Sequence, residues 1–134
     1  MISEDTIGRM VPAAQAARAN AYAPYSNYKV GAAVLGASGK VYAGANVENA
    51  SFGLTNCAER SAIFNAISEG EEKIIALVLV LENGGVPCGA CRQVMNEFNP
   101  DLEIIVADPD GKVAQQLTLV DLLPNAFGPK NLGK

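Results

Sequence analysis

The sequence contains no histidine, no tryptophan and only three cysteines. Without an imidazole, any proton transfer in an active site must use another side chain, and a carboxylate is the natural substitute. An odd number of thiols is unsuited to a disulfide framework. Free thiols are instead typical of a reducing compartment, where they remain available to bind metal.

Long apolar runs and an excess of basic charge are also missing. The longest apolar run, residues 74–81, is far shorter than a membrane span, and the first residues lack the features of a signal peptide. We therefore expect a cytoplasmic protein that does not associate with membranes. The net charge of −4 provides no long-range attraction to phosphate backbones, so we expect a small-molecule ligand and no nucleic acid polymer.

The 134 residues, 49% of them hydrophobic, predict one domain over residues 1–134. Periodicity and capping signals predict the order α-β-β-α-β-α-β-β-α. This order predicts an α/β domain in which helices cover a sheet of about five strands. The predicted helices are residues 3–21, 56–69, 88–98 and 118–123, and the predicted strands are residues 30–37, 41–47, 74–81, 102–107 and 113–115.

All three cysteines lie in two short motifs, Cys57-Ala58-Glu59-Arg60 and Pro87-Cys88-Gly89-Ala90-Cys91-Arg92. Three thiolates leave the fourth position of a tetrahedral zinc ion open, as in catalytic zinc sites. Glu59 lies where a water activated by zinc would need a proton acceptor. This combination is typical of zinc-dependent deaminases. A carboxyl group with an ordinary pKa is too acidic for that task, so we expect burial to raise the pKa of Glu59.

Both cysteine motifs fall where helices are predicted to begin. Helix N-termini stabilise thiolates through unpaired N–H groups and a partial positive charge. Cys57 and Glu59 would point about 200° apart within a regular helix, so they can converge only if Cys57 is the capping residue. A zinc ion with three thiolates carries a net charge of about −1. We therefore predict that one or both of Arg60 and Arg92 donate hydrogen bonds to the sulfurs, and we favour Arg60.

Other interpretations exist for each of these residues. A Cys-x-x-Cys pair alone is also found in redox sites and structural zinc sites, although the latter normally use a fourth Cys or His. A lone arginine on a helix is commonly just solvated. Aromatic residues are more often core than ligand contacts, and a polar stretch after a strand is ordinarily a loop. The residues concerned are Arg60, Arg92, Tyr25, Tyr28, Phe52, Phe127, Asn46, Glu48 and Asn49.

Further motifs connect the cysteine pattern to a known family. Together with the two cysteine motifs, the chain resembles the small cytidine deaminases over nearly its whole length. The resemblance implies a three-layer α/β fold with a mixed five-stranded sheet flanked by helices, and a homotetramer with active sites at subunit interfaces. The additional motifs are Ala23-Pro24-Tyr25-Ser26, Val30-Gly31-Ala32-Ala33, Asn46-Val47-Glu48-Asn49-Ala50, Gln93-Val94 after the second cysteine motif, and Leu122-Leu123-Pro124 followed by Phe127.

The resemblance also implies a reaction and roles for individual residues. The reaction is hydrolysis of cytidine and 2′-deoxycytidine to uridine and 2′-deoxyuridine plus ammonia, a step of pyrimidine salvage. One Zn²⁺ per chain would be held by the three cysteines, with Glu59 as proton shuttle. The implied nucleoside contacts are Asn46 and Glu48 with the ribose 3′-hydroxyl, the Ala58 N–H with the pyrimidine O2, Tyr28 with the sugar or base, and Phe127 in a neighbouring subunit's site.

Three positions depart from the family pattern. Phe52 replaces a common Tyr, Val86 replaces a usual Ser, and the loop at residues 82–86 is shorter than expected. If that loop borders the amine side of the pocket, the enzyme should tolerate N4-substituted cytidines. Two alternatives remain: a deaminase of a cytosine-containing antibiotic of the blasticidin S type, and a catalytically silent zinc-binding assembly subunit.

Overall fold

A five-stranded mixed sheet forms the centre of the protein, as predicted. The computed structural model describes residues 1–134, and its strand order is β2-β1-β3-β4-β5. Strands β3 and β4 pair in parallel, and all other neighbours are antiparallel. The strands are β1 (Gly31–Gly36), β2 (Val41–Ala45), β3 (Ile74–Val80), β4 (Glu103–Ala107) and β5 (Val113–Thr118).

The element order also matches the prediction, with four helices whose ends shift by a few residues. Ser3, Cys57, Cys88 and Thr118 lie just outside the helices as N-caps. The prediction for β5 was too short, because its backbone pairs with β4 as far as Thr118. The helices are α1 (Glu4–Ala19), α2 (Ala58–Ser68), α3 (Gly89–Phe98) and α4 (Leu119–Leu122).

The helices cover both faces of the sheet and produce three layers. Alternate residues of β1 divide between two cores, because successive side chains of a strand point to opposite faces. Ala33 and Leu35 pack with α1, whereas Ala32 and Val34 pack with α2, α3 and α4. None of these helices has both the length and the apolar character needed to cross a bilayer.

Close packing at Gly44 sets the position of α2, the helix that follows the first cysteine. A Cβ atom on Gly44 would lie only 2.4 Å from the backbone nitrogen of Ala62. The absence of a side chain at this point of β2 therefore allows the helix backbone to approach the sheet closely.

Several chain segments converge at one edge of the sheet. Gly31, at the start of β1, pairs with Ala45 at the end of β2 and with Val80 at the end of β3. The segments that leave these two strands lead to Asn46 and to the loop before Cys88. Gly31 and Val80, which are 49 positions apart in the sequence, thus meet at this edge.

Candidate zinc site and nucleoside pocket

The three cysteines form one cluster at the N-termini of α2 and α3. The Sγ atoms of Cys57 and Cys88 lie 3.9 Å apart, and those of Cys88 and Cys91 lie 3.3 Å apart. All three sulfurs are within 4.8 Å of one another. Cys57 and Cys88 have extended backbone as N-cap residues, which confirms the predicted placement of Cys57 outside its helix.

This spacing fits a tetrahedral zinc ion. Zn–S bonds of about 2.3 Å at tetrahedral angles separate two sulfurs by about 3.8 Å, close to the distances here. Three soft thiol ligands suit zinc, and no fourth protein ligand belongs to the cluster. The cluster can therefore hold one zinc ion per chain and leave one coordination position for a ligand from solution.

Arg60 adjoins the cysteine cluster as predicted. Its Nη2 atom donates a hydrogen bond of 3.4 Å to Cys57 Sγ. Hydrogen bonding with the Cys91 thiol, and then with Arg60, lowers the pKa of Cys57 to about 5. Hydrogen bonding with Cys57, and then burial, raises the pKa of Cys91. Arg60 Nε is buried and has no hydrogen-bond partner. The positive charge thus faces the sulfurs and can offset the charge of three thiolates.

Arg92 does not share that position, so the prediction that it donates to a sulfur is corrected. Its Nε donates to the carbonyl of Pro87 at 2.7 Å, and its Nη1 donates to the carbonyl of Leu122 at 2.8 Å. Pro87 immediately precedes Cys88. Arg92 therefore links the start of α3 to the end of α4. Its guanidinium donates to these backbone carbonyls rather than to the sulfurs.

Glu59 lies in the first turn of α2 and is 5% exposed. Burial raises the pKa of its carboxyl group to about 7, and the neighbouring Cys57 acts in the same direction. Arg60 opposes this shift. A carboxyl group with a pKa near neutrality can both accept and return a proton, which is the property expected from the sequence.

Asn46 is buried beneath the loop that connects α1 to β1. Its Oδ1 accepts a hydrogen bond from Val30 N at 2.9 Å, and its Nδ2 donates to the Tyr28 carbonyl at 2.8 Å. One hydrogen of the amide nitrogen remains without a partner. The main contacts of Asn46 therefore hold the loop, and this hydrogen and the second lone pair of Oδ1 are left for a ligand.

Glu48 binds the same loop nearer its tip. Its Oε1 accepts hydrogen bonds from the backbone nitrogens of Tyr25 and Ser26 at 2.9 and 3.1 Å, and its Oε2 accepts one from the Ser26 hydroxyl. Ser26 was not among the predicted site residues. No spacing signal could have identified it, because it lies 22 positions before Glu48.

A cavity of about 390 Å³ opens beside Glu48. This volume is within the range of small-ligand sites. Phe52 contributes an aromatic ring rather than the Tyr hydroxyl of the family pattern, and its ring meets that of Tyr25 edge to face at 5.8 Å. The cavity is lined by Tyr25, Ser26, Glu48, Phe52 and Thr55.

A backbone bridge lies between this cavity and the cysteine cluster. Val47 and Asn56 exchange two backbone hydrogen bonds of 3.0 and 2.9 Å. Because this bridge is antiparallel, Glu48 lies opposite Thr55, and Asn46 lies opposite Cys57. The cavity and the candidate zinc site are therefore on the two sides of one backbone bridge.

The remaining predicted contact residues are Ala58, Tyr28 and Phe127. Ala58 is the first residue of α2, so its N–H has no partner within the helix. Tyr28 is half-buried, and its hydroxyl donates to the Glu82 carbonyl at 2.6 Å. Phe127 is 60% exposed, while its carbonyl accepts hydrogen bonds from Gln93 and Asn96. The structure thus presents Phe127 outward on a fixed backbone.

The short loop at residues 82–86 is fastened at several points. Besides the bond from Tyr28, the Glu82 carboxylate lies 3.4 Å from Arg18, and Gln115 donates to the Gly84 carbonyl. Asn83 takes the left-handed conformation that Asn tolerates better than most residues. These contacts hold the segment leading to Cys88.

Comparison with known proteins agrees with this geometry. Residues 5–107 match the model of the cytidine and deoxycytidylate deaminase zinc-binding region. The cytidine deaminase of Halalkalibacterium halodurans is 48% identical over 87% of this chain and 89% of that protein. The crystal structure of cytidine deaminase from Burkholderia pseudomallei, 48% identical, superposes with a TM-score of 0.84 over 94% of this chain and 100% of that one.

A second crystal structure, of a protein with lower sequence identity, has the same fold. Cytidine deaminase from Mycobacterium tuberculosis, 41% identical, superposes with a TM-score of 0.77 over 90% of this chain and 96% of that one. The chain belongs to the cytidine and deoxycytidylate deaminase family defined by this zinc-binding region.

Proposed function

We propose that the protein is a zinc-dependent enzyme that hydrolyses cytidine and 2′-deoxycytidine to uridine and 2′-deoxyuridine. Water adds to C4 of the base, the C4–N4 bond breaks, and ammonia leaves. The observation that carries this proposal is the three-cysteine cluster with Glu59 buried beside it. The cytidine deaminases that cover most of this chain support the same conclusion.

Cys57, Cys88 and Cys91 would hold the zinc ion, which supplies a Lewis acid that makes water a nucleophile near neutral pH. Glu59 accepts one proton from that water and delivers it to N3, then accepts the remaining proton of the hydroxyl now on C4 and delivers it to the departing amine. Its pKa of about 7 suits both directions of transfer. Arg60 stabilises the thiolate of Cys57 through its hydrogen bond.

For the nucleoside contacts we propose those that the family resemblance implies, supported by the position of Glu48 in the wall of the cavity. Glu48 and Asn46 bind the ribose 3′-hydroxyl, and the Ala58 N–H binds the pyrimidine O2. Tyr28 packs against the sugar or base. A free base would leave the polar groups of this clamp without partners, so we expect discrimination in favour of nucleosides.

We also propose a homotetramer in which Phe127 completes a neighbouring subunit's site. The support is that 60% of this aromatic side chain is exposed while its backbone is held by Gln93 and Asn96. Three free thiols are suited to a reducing compartment, so we place the enzyme in the cytoplasm, where it serves pyrimidine salvage. Light scattering tests the assembly, and activity that falls on dilution tests sharing of the sites.

A substrate panel tests the reaction. The zinc-loaded protein is incubated with cytidine, 2′-deoxycytidine, cytosine and N4-methylcytidine, while loss of cytosine absorbance and release of ammonia are measured. We expect turnover of both nucleosides and none of the free base. A fully zinc-loaded protein that leaves both nucleosides intact would contradict the proposal. Release of methylamine from N4-methylcytidine would support the hypothesis that the short loop leaves space near N4.

The two alternatives carry less support. The similar curated proteins are cytidine deaminases, and none of the described features favours an antibiotic substrate. A silent zinc-binding subunit has no need of a buried carboxyl group with a pKa of about 7 beside the metal ligands.

A further inference from the structure

We propose that Ser26 is a positioning residue for nucleoside binding, because its hydroxyl holds the Glu48 carboxylate in the orientation that accepts the ribose 3′-hydroxyl. This inference rests on the proposed function, in which Glu48 binds that hydroxyl. It assigns a task to a residue that the sequence analysis named only as part of the motif Ala23-Pro24-Tyr25-Ser26.

The free lone pairs of Glu48 determine where a ligand can bind. A carboxylate oxygen accepts about two hydrogen bonds. Oε1 already accepts two, from the backbone nitrogens of Tyr25 and Ser26. Oε2 accepts one, from the Ser26 hydroxyl. The site left for a ligand hydroxyl is therefore on Oε2, the oxygen that Ser26 holds.

The Ser26 hydroxyl is itself oriented. The backbone nitrogen of Tyr28 donates to Ser26 Oγ at 3.0 Å, so the oxygen faces that N–H group while its single proton goes to Glu48. The result is a chain of hydrogen bonds from Tyr28 N through Ser26 to Oε2. Within such a chain each bond polarises the next.

Ser26 and Glu48 both line the cavity of about 390 Å³. The Ser26 hydroxyl is also the largest influence that keeps the pKa of Glu48 below its ordinary value. Without the hydroxyl, Oε2 would lose its fixed partner and the carboxylate could turn about the bonds to Oε1. The ligand would then have to order the carboxylate when it binds.

Ser26→Ala tests the proposal by its dependence on the substrate. We expect KM for cytidine to rise about tenfold with kcat nearly unchanged, because the carboxylate bond is made in both the ground state and the transition state. With 3′-deoxycytidine, which lacks the relevant hydroxyl, the same substitution should change KM less than twofold. Ser26→Thr should restore KM because it keeps the hydroxyl.

Two controls separate positioning from general damage. Ser51→Ala alters an exposed serine of the neighbouring loop and should leave both substrates unaffected. In a Glu48→Gln background, Ser26→Ala should add little, since both residues act on the same bond. Equal losses on cytidine and 3′-deoxycytidine, or no rescue by Thr, would overturn the proposal.

A binding measurement keeps this test independent of catalysis. Calorimetry with uridine and 3′-deoxyuridine should show the same selective loss in Ser26→Ala. If the wild-type protein binds uridine but does not deaminate cytidine, the proposed reaction fails while the role of Ser26 is still decided. Absence of nucleoside binding by the wild-type protein would overturn both.

Discussion

Two carboxyl groups of this protein, those of Glu59 and Glu71, are almost equally hidden from solvent, but their pKa values are shifted in opposite directions. Their exposures are 5% and 8%. Burial raises the pKa of Glu59 to about 7, whereas hydrogen bonds from Ser38 and then Tyr42 lower the pKa of Glu71. Burial alone therefore does not determine the charge state, which depends on the donors that the fold supplies.

The surroundings of Glu71 show what a structural carboxylate requires. It accepts hydrogen bonds from the backbone nitrogen and hydroxyl of Ser38, and from the Tyr42 hydroxyl at 2.8 Å. A Cβ atom on Gly36 would lie 2.2 Å from the Glu71 carboxyl carbon, so a side chain at this position would displace the carboxylate from its present place. Glu71 anchors the β1–β2 hairpin to the end of α2. Glu59, by contrast, lies near the cysteine thiols and has a pKa of about 7, so it can gain or lose a proton near neutral pH.

The largest effect should come from Glu59→Gln, which keeps the shape of Glu59 and removes its proton transfer. We expect kcat for cytidine to fall by about 10²- to 10⁴-fold. Zinc content, measured by atomic absorption, should not change, because Glu59 is not among the clustered thiols. Retention of activity would show that the raised pKa of Glu59 has no catalytic use.

Arg60→Ala should have the next largest effect, because it removes the cation that stabilises the Cys57 thiolate. The same cation also opposes the rise in the pKa of Glu59 that burial causes. We expect zinc affinity, measured by competition with a chelator, to weaken by about 10- to 100-fold. Arg9→Ala, an exposed change on α1, is the matched control. Full zinc occupancy under competition together with an unchanged rate would rule out this role.

Glu71→Gln should affect folding alone. The substitution leaves a buried amide NH₂ facing the donors that now bind a carboxylate, so we expect the melting temperature to fall by several degrees. Zinc affinity and kcat should stay at wild-type values. Glu72→Gln, an adjacent exposed change, is the control. A loss of zinc in Glu71→Gln would mean that the two carboxylates are not independent.

The pH dependence of folding stability gives a further test of the role of Glu71. The pKa of Glu71 is lower in the folded state, and Lys40 acts in the same direction as Ser38 and Tyr42. A depressed carboxyl pKa contributes stability above the unfolded-state value, about 4.3, which is lost as pH falls through the folded-state value. The stability difference between wild type and Glu71→Gln should therefore be largest near neutral pH and shrink below about pH 4.

Local signals were sufficient to predict much of the architecture. Apolar periodicity and capping residues indicated all nine helices and strands in order, and the placement of Cys57 as a cap followed from helix geometry alone. Arg60 could also be anticipated, because it lies in the first turn of the helix that Cys57 caps, three positions after that cysteine. These features depend on residues a few positions apart, where backbone geometry leaves little choice.

Contacts between distant segments could not be predicted in the same way. Arg92 lies beside a cysteine in the sequence but binds the carbonyls of Pro87 and Leu122, because α4 packs against α3. The partnership of Ser26 with Glu48 likewise depends on how the loop before β1 folds over the end of β2. Side-chain donors bind the acceptors that tertiary packing brings within hydrogen-bond distance.

The sequence by itself determined the ligand set, the acid beside it and the helix starts that carry them, since each depends on residue types and short spacings. Only the tertiary structure decided which carboxylate is held charged and which is left to titrate near neutrality. The difference arises because packing buries Glu59 without enough donors to hold it charged, whereas the β1–β2 hairpin brings the donors Ser38 and Tyr42 to Glu71.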